Sequence, residues 1–220
     1  MMVQWSHSSL KDYENCARSY HEIKVLKRYK KEQIESAKYG DLVHKAAEAY
    51  TTGTPLPDEY KFLKPVLDAL LSKPGTKHAE LKFAVKITLE PCEWMDPYVW
   101  ARGIADLLIM DPDGVTAWVV DYKTGNDKYA DKDQLDLMSL MVFAHYPNIK
   151  IVRSALLFLL KDNIIKHKAV RENSEAMWWK YRERVSRIEE SMAANIWNPK
   201  QTGLCKKHCV VLNCEFNGRS

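Results

Sequence analysis

The amino-acid sequence predicts an α/β fold built on a central mixed β-sheet, and three observations lead to this fold class. Apolar residues recur at helical spacing through residues 8–72, and they then alternate with polar residues, as in a strand, from Glu80 to Leu89. The motif Asp111-Pro112-Asp113-Gly114 is typical of a hairpin turn between two further strands. A nearly continuous apolar run at residues 149–160 predicts a strand covered on both faces, which makes the sheet mixed.

The composition is that of a soluble protein with one domain. Of the 220 residues, 46% are hydrophobic and 28% are charged, enough for one good-sized core. No apolar run approaches the roughly 20 residues that cross a bilayer, and the N-terminus lacks an export signal. We therefore expect an intracellular protein, in the cytoplasm or in the host cytoplasm if viral, with reduced cysteines and no membrane partner. The net charge of +4 allows a polyanionic partner without demonstrating one.

Three amphipathic helices are predicted within residues 8–72. The first begins with Ser9 as its cap, and the second is opened by Gly40 and carries His44. Between these two helices lies a basic run, for which a solvated helix face and a phosphate-binding patch are the two interpretations. The run consists of Lys24, Lys27, Arg28, Lys30 and Lys31.

Two acids and a lysine are the candidate chemistry of the predicted sheet. Asp121 and Lys123 lie two positions apart at the end of an apolar strand, so their side chains project from the same face. Burying such charges is unfavourable unless a metal ion or an anionic substrate compensates. Asp106 lies on the strand that the hairpin pairs with this one, so the two acids are expected to converge. The alternative interpretation is that Asp121 and Lys123 are solvated at the end of the strand, before a turn.

An ordered set of residues resembles the PD-(D/E)XK nuclease superfamily, and within it the phage-type RecB-like exonucleases and the nucleases of CRISPR adaptation. The stretches from Ser8 to Arg18 and from Gly40 to His44 look like opening motifs of this family. Met138 departs from the pattern because the family has Tyr there, and Ala17 stands in place of Pro. The set consists of His44, Glu80, Gly103 with Asp106, Asp121-Tyr122-Lys123-Thr124, and Gln134 at a helix start.

This resemblance extends from Ser8 to Cys214 and implies a single nuclease domain with a restriction-endonuclease-like core, a mixed sheet flanked by helices. The domain would comprise N-terminal helices at 8–72, a catalytic sheet core at 79–170, and a C-terminal helix with a cysteine-containing tail at 174–220. The implied activity is that of a divalent-metal-dependent DNA exonuclease. It would act on single strands or duplex ends in viral or recombination DNA processing.

The resemblance also implies roles for individual residues. A Mg²⁺ or Mn²⁺ ion would be bound by His44, Asp106, Asp121 and the backbone carbonyl of Tyr122, and carboxylate oxygens suit both ions. The candidate catalytic residues are Asp106, Asp121, Lys123, Gln134 and Glu80, and the candidate DNA contacts are Arg18, Lys27 and Arg28.

The roles differ within the catalytic set. Lys123 would position the attacking water and offset charge on the phosphate, while Gln134 would orient Lys123 or a phosphate. Glu80 would hold a second metal through water, or simply pair with Lys82 or another surface cation. Two other functions stay open, an endonuclease on the same core and a noncatalytic DNA-binding recombination scaffold. The charges argue against the scaffold, because it has no reason to keep them buried without a metal.

A second set of residues, Cys16 with Cys205, Cys209 and Cys214, resembles the iron-sulfur staple of some RecB-like nucleases. Four thiolates suit a [4Fe-4S] cluster or zinc, which would fasten the tail to the first helix. Three residues separate Cys205 from Cys209 where those relatives more often have two, so reduced, unliganded thiols are the alternative. Cys92 lies outside the set.

Overall fold

The computed structural model describes residues 3–31, 35–161 and 163–218, and it divides the chain into two compact units. The sheet unit comprises Ile34–Trp178, and the terminal unit joins Met1–Gln33 to Trp179–Ser220. In the part of the chain that is described, no helix is long and apolar enough to span a membrane.

Six α-helices and six β-strands are labelled within the described residues. In chain order they are β1 (Trp5–Ser6), α1 (His7–Asn15), α2 (Ala17–Tyr20), α3 (Glu35–Thr51), α4 (Lys64–Leu71), β2 (Thr76–Lys86), β3 (Val99–Met110), β4 (Thr116–Lys123), α5 (Asp133–His145), β5 (Ile151–Phe158), β6 (Asn163–Val170) and α6 (Ser174–Ala194). A π-helical turn, His21–Val25, follows α2, and a 3-10 turn, Asp58–Leu63, precedes α4.

The sheet unit contains a mixed sheet in which β2, β3 and β4 are successively antiparallel. Strand β5 runs parallel to β4, and β6 returns antiparallel to β5. Helix α5 forms the crossover between the two parallel strands, as a parallel connection requires. The predicted mixed sheet is therefore confirmed.

Helices cover both faces of this sheet. Leu156 and Leu157 are neighbours on β5, so their side chains point to opposite faces. Leu157 belongs to a core cluster with Val43 of α3 and Leu67 of α4, whereas Leu156 packs with Leu135 of α5. Burial from both sides explains why β5 is apolar at consecutive positions.

Two helix starts differ from the prediction. Ser6, not Ser9, caps α1: the Ser6 hydroxyl accepts a hydrogen bond from Ser9 N at 3.3 Å, and Ser6 N donates to Ser9 Oγ at 2.8 Å. Ser9 is thus the third helical residue of a capping box. Helix α3 begins at Glu35, so Gly40 lies inside it and does not open it. A Cβ at Gly40 would lie 2.5 Å from Thr124 Oγ1, which shows that close packing requires glycine here.

Strand β2 also differs from the prediction. It begins at Thr76, so Glu80 lies in its middle, with a φ of 49° that only glycine adopts without strain. The strand ends at Lys86, and the φ of 69° at Leu89 belongs to the turn that follows. The alternating pattern continued past Lys86 and did not reveal this turn.

Candidate active site

The end of β4 and the first turn of α5 bring three polar side chains into one closed ring. Lys123 Nζ lies 2.5 Å from Asp121 Oδ2 and 2.8 Å from Gln134 Oε1, which accepts its hydrogen bond. Gln134 Nε2 donates a hydrogen bond to Asp121 Oδ1. The ring holds the lysine beside the carboxylate and fixes the orientation of both.

One oxygen of Asp121 still lacks a hydrogen-bond donor. Asp121 is only 4% exposed, and no donor among the described residues meets Oδ2 with hydrogen-bond geometry. The Lys123 ammonium, 2.5 Å away, neutralises the charge of this oxygen. A buried carboxylate oxygen of this kind is available to a cation.

Asp106 and His44 complete the cluster. Asp106 Oδ2 accepts a 2.6 Å hydrogen bond from the backbone N–H of Tyr122 and lies 3.5 Å from His44 Nδ1. Strand register explains the meeting of the acids, because Leu107 of β3 pairs with Val120 of β4 and the next positions along are Asp106 and Asp121.

The pKa values show how strongly the acids repel each other. Burial, followed by the charge of Asp121, raises the pKa of Asp106 to about 8. Burial lowers the pKa of His44, and a backbone hydrogen bond with Tyr122 opposes this change. A bond that favours the protonated imidazole must be donated by the ring, so its acceptor is the Tyr122 carbonyl. A divalent cation would allow both acids to be ionised, and oxygen donors with one imidazole suit Mg²⁺ or Mn²⁺.

Glu80 lies beside this cluster. Ala79 and Leu81 pair with Leu107 and Ala105, which places Glu80 opposite Asp106. Burial and then the charge of Glu48 raise the pKa of Glu80, and a side-chain hydrogen bond with Asp106 acts against the rise. Its left-handed backbone conformation is of the kind that persists at functional sites because the surrounding structure compensates for it.

Met138, where the resemblance expected Tyr, is part of the core. It is 3% exposed and packs against Gly103, whose missing side chain makes room for the methionine. A contact with DNA is therefore not available to this position. The prediction treated Gly103 only as a motif residue and missed that it packs against α5.

The three candidate DNA contacts lie in the terminal unit, where the charges of Arg28 and Arg18 both act on His21. Arg28 forms an ion pair with Glu22 at 3.6 Å, and Arg18 Nη2 donates to the Asn213 carbonyl at 3.2 Å. Lys27 is exposed. Contact with DNA stays a prediction for all three.

The four cysteines of the second set line one cavity of about 240 Å³ in the terminal unit. Cys16 Sγ accepts hydrogen bonds from Ser19 N and Lys200 N, both at 3.5 Å, and Cys205 Sγ accepts one from Thr202 N at 3.3 Å. Burial raises the pKa of the Cys214 thiol, whereas a metal would bind it as the thiolate. Cationic side chains complete the lining, among them Arg18, Lys31 and Lys200.

These thiols share a cavity without converging on one point. Among residues 3–31, 35–161 and 163–218, no three His, Cys, Asp or Glu side chains are close enough together to hold a metal ion as placed. At the acids, the Lys123 ammonium lies 2.5 Å from Asp121 Oδ2, so a metal ion bound there would share this oxygen with the lysine. At the cysteines, four sulfurs around a single zinc would have to approach to about 2.3 Å from the ion.

Comparisons with known proteins agree with this arrangement. The family model of the PD-(D/E)XK nuclease superfamily matches residues 4–102 and 61–217. A crystal structure from Eubacterium rectale, described as a candidate exonuclease, is 13% identical with a TM-score of 0.55, over 92% of this chain and 85% of that one. The structure of SSO0001 is 15% identical with a TM-score of 0.48, over 97% and 87%. No curated protein matches the sequence.

Proposed function

Since the chain belongs to the PD-(D/E)XK nuclease superfamily and has its restriction-endonuclease-like core, we propose that it is a DNA exonuclease that depends on a divalent metal ion. The family implies a nucleic-acid substrate and generally uses divalent metals. The exonuclease activity, the choice of DNA and a role in viral or recombination processing extend beyond the family and belong to this proposal.

The observation that carries the proposal is the meeting of Asp106, Asp121 and Lys123 at the paired strands β3 and β4. Two buried acids that are both ionised repel each other, and a bound cation would relieve this repulsion. His44 and the Tyr122 carbonyl stand next to Asp106, so the four predicted ligands lie on neighbouring elements.

In this mechanism His44, Asp106, Asp121 and the Tyr122 carbonyl would hold a Mg²⁺ or Mn²⁺ ion, which would supply Lewis-acid activation of the phosphate and of the attacking water. Lys123 orients the attacking water and offsets the negative charge that grows on the phosphate.

Two further residues support these steps. Gln134 keeps the Lys123 ammonium in place through the 2.8 Å hydrogen bond. Glu80 would assist a second ion through water. Pairing of Glu80 with Lys82 is the alternative. The charge of Lys82 opposes the net rise in the pKa of Glu80, which burial causes.

The test is cleavage of 5′- and 3′-labelled single and double strands with Mg²⁺ or Mn²⁺. We expect stepwise products from one labelled end, and loss of cleavage in Asp121→Ala and Lys123→Ala. Lys61→Ala is the control, because Lys61 is exposed and pairs only with its helical neighbour Asp58. Full activity in the two site variants would refute the mechanism. Internal fragments from a circular substrate would favour the endonuclease, and DNA binding without cleavage would favour the scaffold.

For the four cysteines we propose a [4Fe-4S] cluster, with zinc as the alternative. Support comes from the shared cavity, its cationic lining and the N–H groups aimed at Cys16 and Cys205. Anaerobic purification followed by an absorption spectrum and metal analysis tests it. Iron with visible absorption supports the cluster, zinc without absorption supports the alternative, and neither metal means free thiols.

A further inference from the structure

The connection between β2 and β3, residues 87–98, presents exposed apolar side chains on an ordered loop. Cys92 N donates to Ala84 O at 3.0 Å, and Lys86 N donates to Glu90 O at 2.9 Å, so the loop folds back along β2. Met95 is 79% exposed and Tyr98 is 67% exposed. Because its backbone is tied to a strand, this loop can present side chains in a fixed place.

Two cations lie over the ring of Trp94, which belongs to this loop. Lys82 Nζ is 5.7 Å and Arg102 Cζ is 5.2 Å from the centre of its ring. Such cation–π contacts hold the cations without neutralising them. Neither cation has a carboxylate within ion-pair distance among the described residues, and Arg102 Nε is buried there without a hydrogen-bond partner. We call Trp94, Lys82 and Arg102 the Trp94 platform.

The platform lies on the strands that carry the acids. Lys82 is two residues from Glu80 on β2, and Arg102 is four residues before Asp106 on β3. At about 3.3 Å per residue, these separations are roughly 7 Å and 13 Å along the strands. Ile104, which pairs with Lys82 and lies between Arg102 and Asp106, is 37% exposed. The Trp94 platform and the acids Glu80 and Asp106 therefore share two neighbouring strands.

We propose that the Trp94 platform binds a single-stranded segment of DNA next to the metal site, with a base stacked on Trp94 and phosphates on Lys82 and Arg102. This inference rests on the proposed function and narrows its substrate to DNA with an unpaired end. Aromatic rings with cations bind single strands because only unpaired bases expose their faces. A duplex, whose bases are stacked inside, offers the platform its phosphates alone.

One other surface has similar chemistry. A cavity of about 520 Å³ on the sheet is lined by Trp118 with Lys73, Arg153, Lys166 and Lys168. Lys73 Nζ lies 4.3 Å and Arg153 Cζ lies 5.1 Å from the Trp118 ring centre. Trp118 precedes Asp121 by three residues on β4, so the two side chains point to opposite faces. This cavity is a competing site for a single strand, but its Trp118 side chain lies on the face of β4 opposite to Asp121.

Fluorescence anisotropy measures binding of a labelled single strand of about 12 nucleotides, and of the matching duplex, in chelator so that no cleavage occurs. We expect Trp94→Ala to weaken single-strand binding about fivefold or more, and duplex binding less than about twofold. Trp94→Phe keeps a ring and should retain most of the affinity. Trp179→Ala is the matched control, since Trp179 is 69% exposed and lies in the terminal unit.

Three results would overturn the platform: unchanged single-strand binding in Trp94→Ala, equal weakening for single strand and duplex, or a loss that appears in Arg153→Ala instead. A melting curve shows whether each variant is folded. The proposed function is tested separately by cleavage with Mn²⁺. A wild type that cuts DNA while Trp94→Ala binds normally refutes the platform alone. If the wild type never cuts DNA, and Trp94→Ala binds single strands more weakly than the wild type does, the proposed nuclease activity alone is refuted.

Discussion

The acid cluster of β3 and β4 and the cysteine cavity of the terminal unit both gather metal-binding side chains, but they are held in different ways. Asp106 and Asp121 are placed by the pairing of two strands and retained by Lys123, Tyr122 and Gln134. The tail cysteines are placed by short-range turns, such as the hydrogen bonds from Cys205 N to Thr202 O and from Cys209 N to Leu204 O. A strand pair keeps its geometry without a ligand, whereas the tail depends on turns and on a few hydrogen bonds, such as the one from Arg18 Nη2 to Asn213 O.

If metal binds at the acids and at the cysteines, this difference predicts opposite consequences of its removal at the two sites. When metal is removed from the acids, the sheet should persist. Cleavage of DNA should be lost because no cation then balances the charges of the acids and the phosphate. At the cysteines, the tail should loosen and the sheet unit should be unaffected.

The largest effect is expected at Lys123. Lys123→Met keeps the length of the side chain and removes its charge, so cleavage should fall about 10²–10³-fold, as for other lost electrostatic groups. Melting in the presence of Mn²⁺ should be little changed, since the ion can then neutralise Asp121. Activity within about threefold of the wild type would show that the ring of Asp121, Lys123 and Gln134 is only structural.

The next effect concerns the tail. If a metal or cluster binds there, Cys209→Ser should make the bonds after Lys206 and Lys207 about tenfold more sensitive to trypsin, because local opening becomes easier. Cleavage of DNA per folded molecule should change less. Cys92→Ser is the matched control, since Cys92 lies in the sheet unit outside the cavity. Equal protection of both variants would mean that the turns alone hold the tail.

A smaller effect tests how α3 is held against the end of β4. Gly40→Ala should destabilise the protein by about 1–3 kcal/mol, because the new Cβ meets Thr124 Oγ1, despite the better helix propensity of Ala. Thr124→Ala removes that oxygen and should restore most of the loss in the double variant, measured by urea unfolding. Gly125→Ala, with nothing within 4 Å, is the control. If the stability losses of Gly40→Ala and Thr124→Ala simply add in the double variant, a contact between the new Cβ and Thr124 Oγ1 is excluded.

The smallest effect concerns the repulsion between the acids in metal-free protein. The pKa of Asp106 is raised to about 8, so the folded state holds a proton that the unfolded state loses near its ordinary pKa of 3.8. Stability in chelator should therefore fall as the pH rises from about 5 to 8. Asp106→Asn removes this dependence, so its stability relative to the wild type should increase as the pH rises to about 8. A stability difference that does not grow with pH would contradict the burial of this charge.

Prediction from the sequence succeeded where the chemistry is local. Charges within apolar runs, such as Asp106 and Asp121, stand out because burial without a partner is unfavourable, and the structure does bring them together. It was wrong where a residue serves a distant contact. Gly40 looked like a helix start because glycine commonly interrupts helices. The residue that it packs against, Thr124, is 84 positions away in the sequence.

The sequence by itself determined the α/β class, the order of the strands along the chain and the acids, lysine and cysteines that can take part in chemistry. These follow from periodicity and from the cost of burying charge, both of which are local properties. Tertiary structure decided that Glu80 lies opposite Asp106 in a strained conformation, that Met138 fills the space at Gly103, and that Trp94 stands over Lys82 and Arg102. Strand register and packing join residues far apart in the chain, and local patterns do not encode which partners meet.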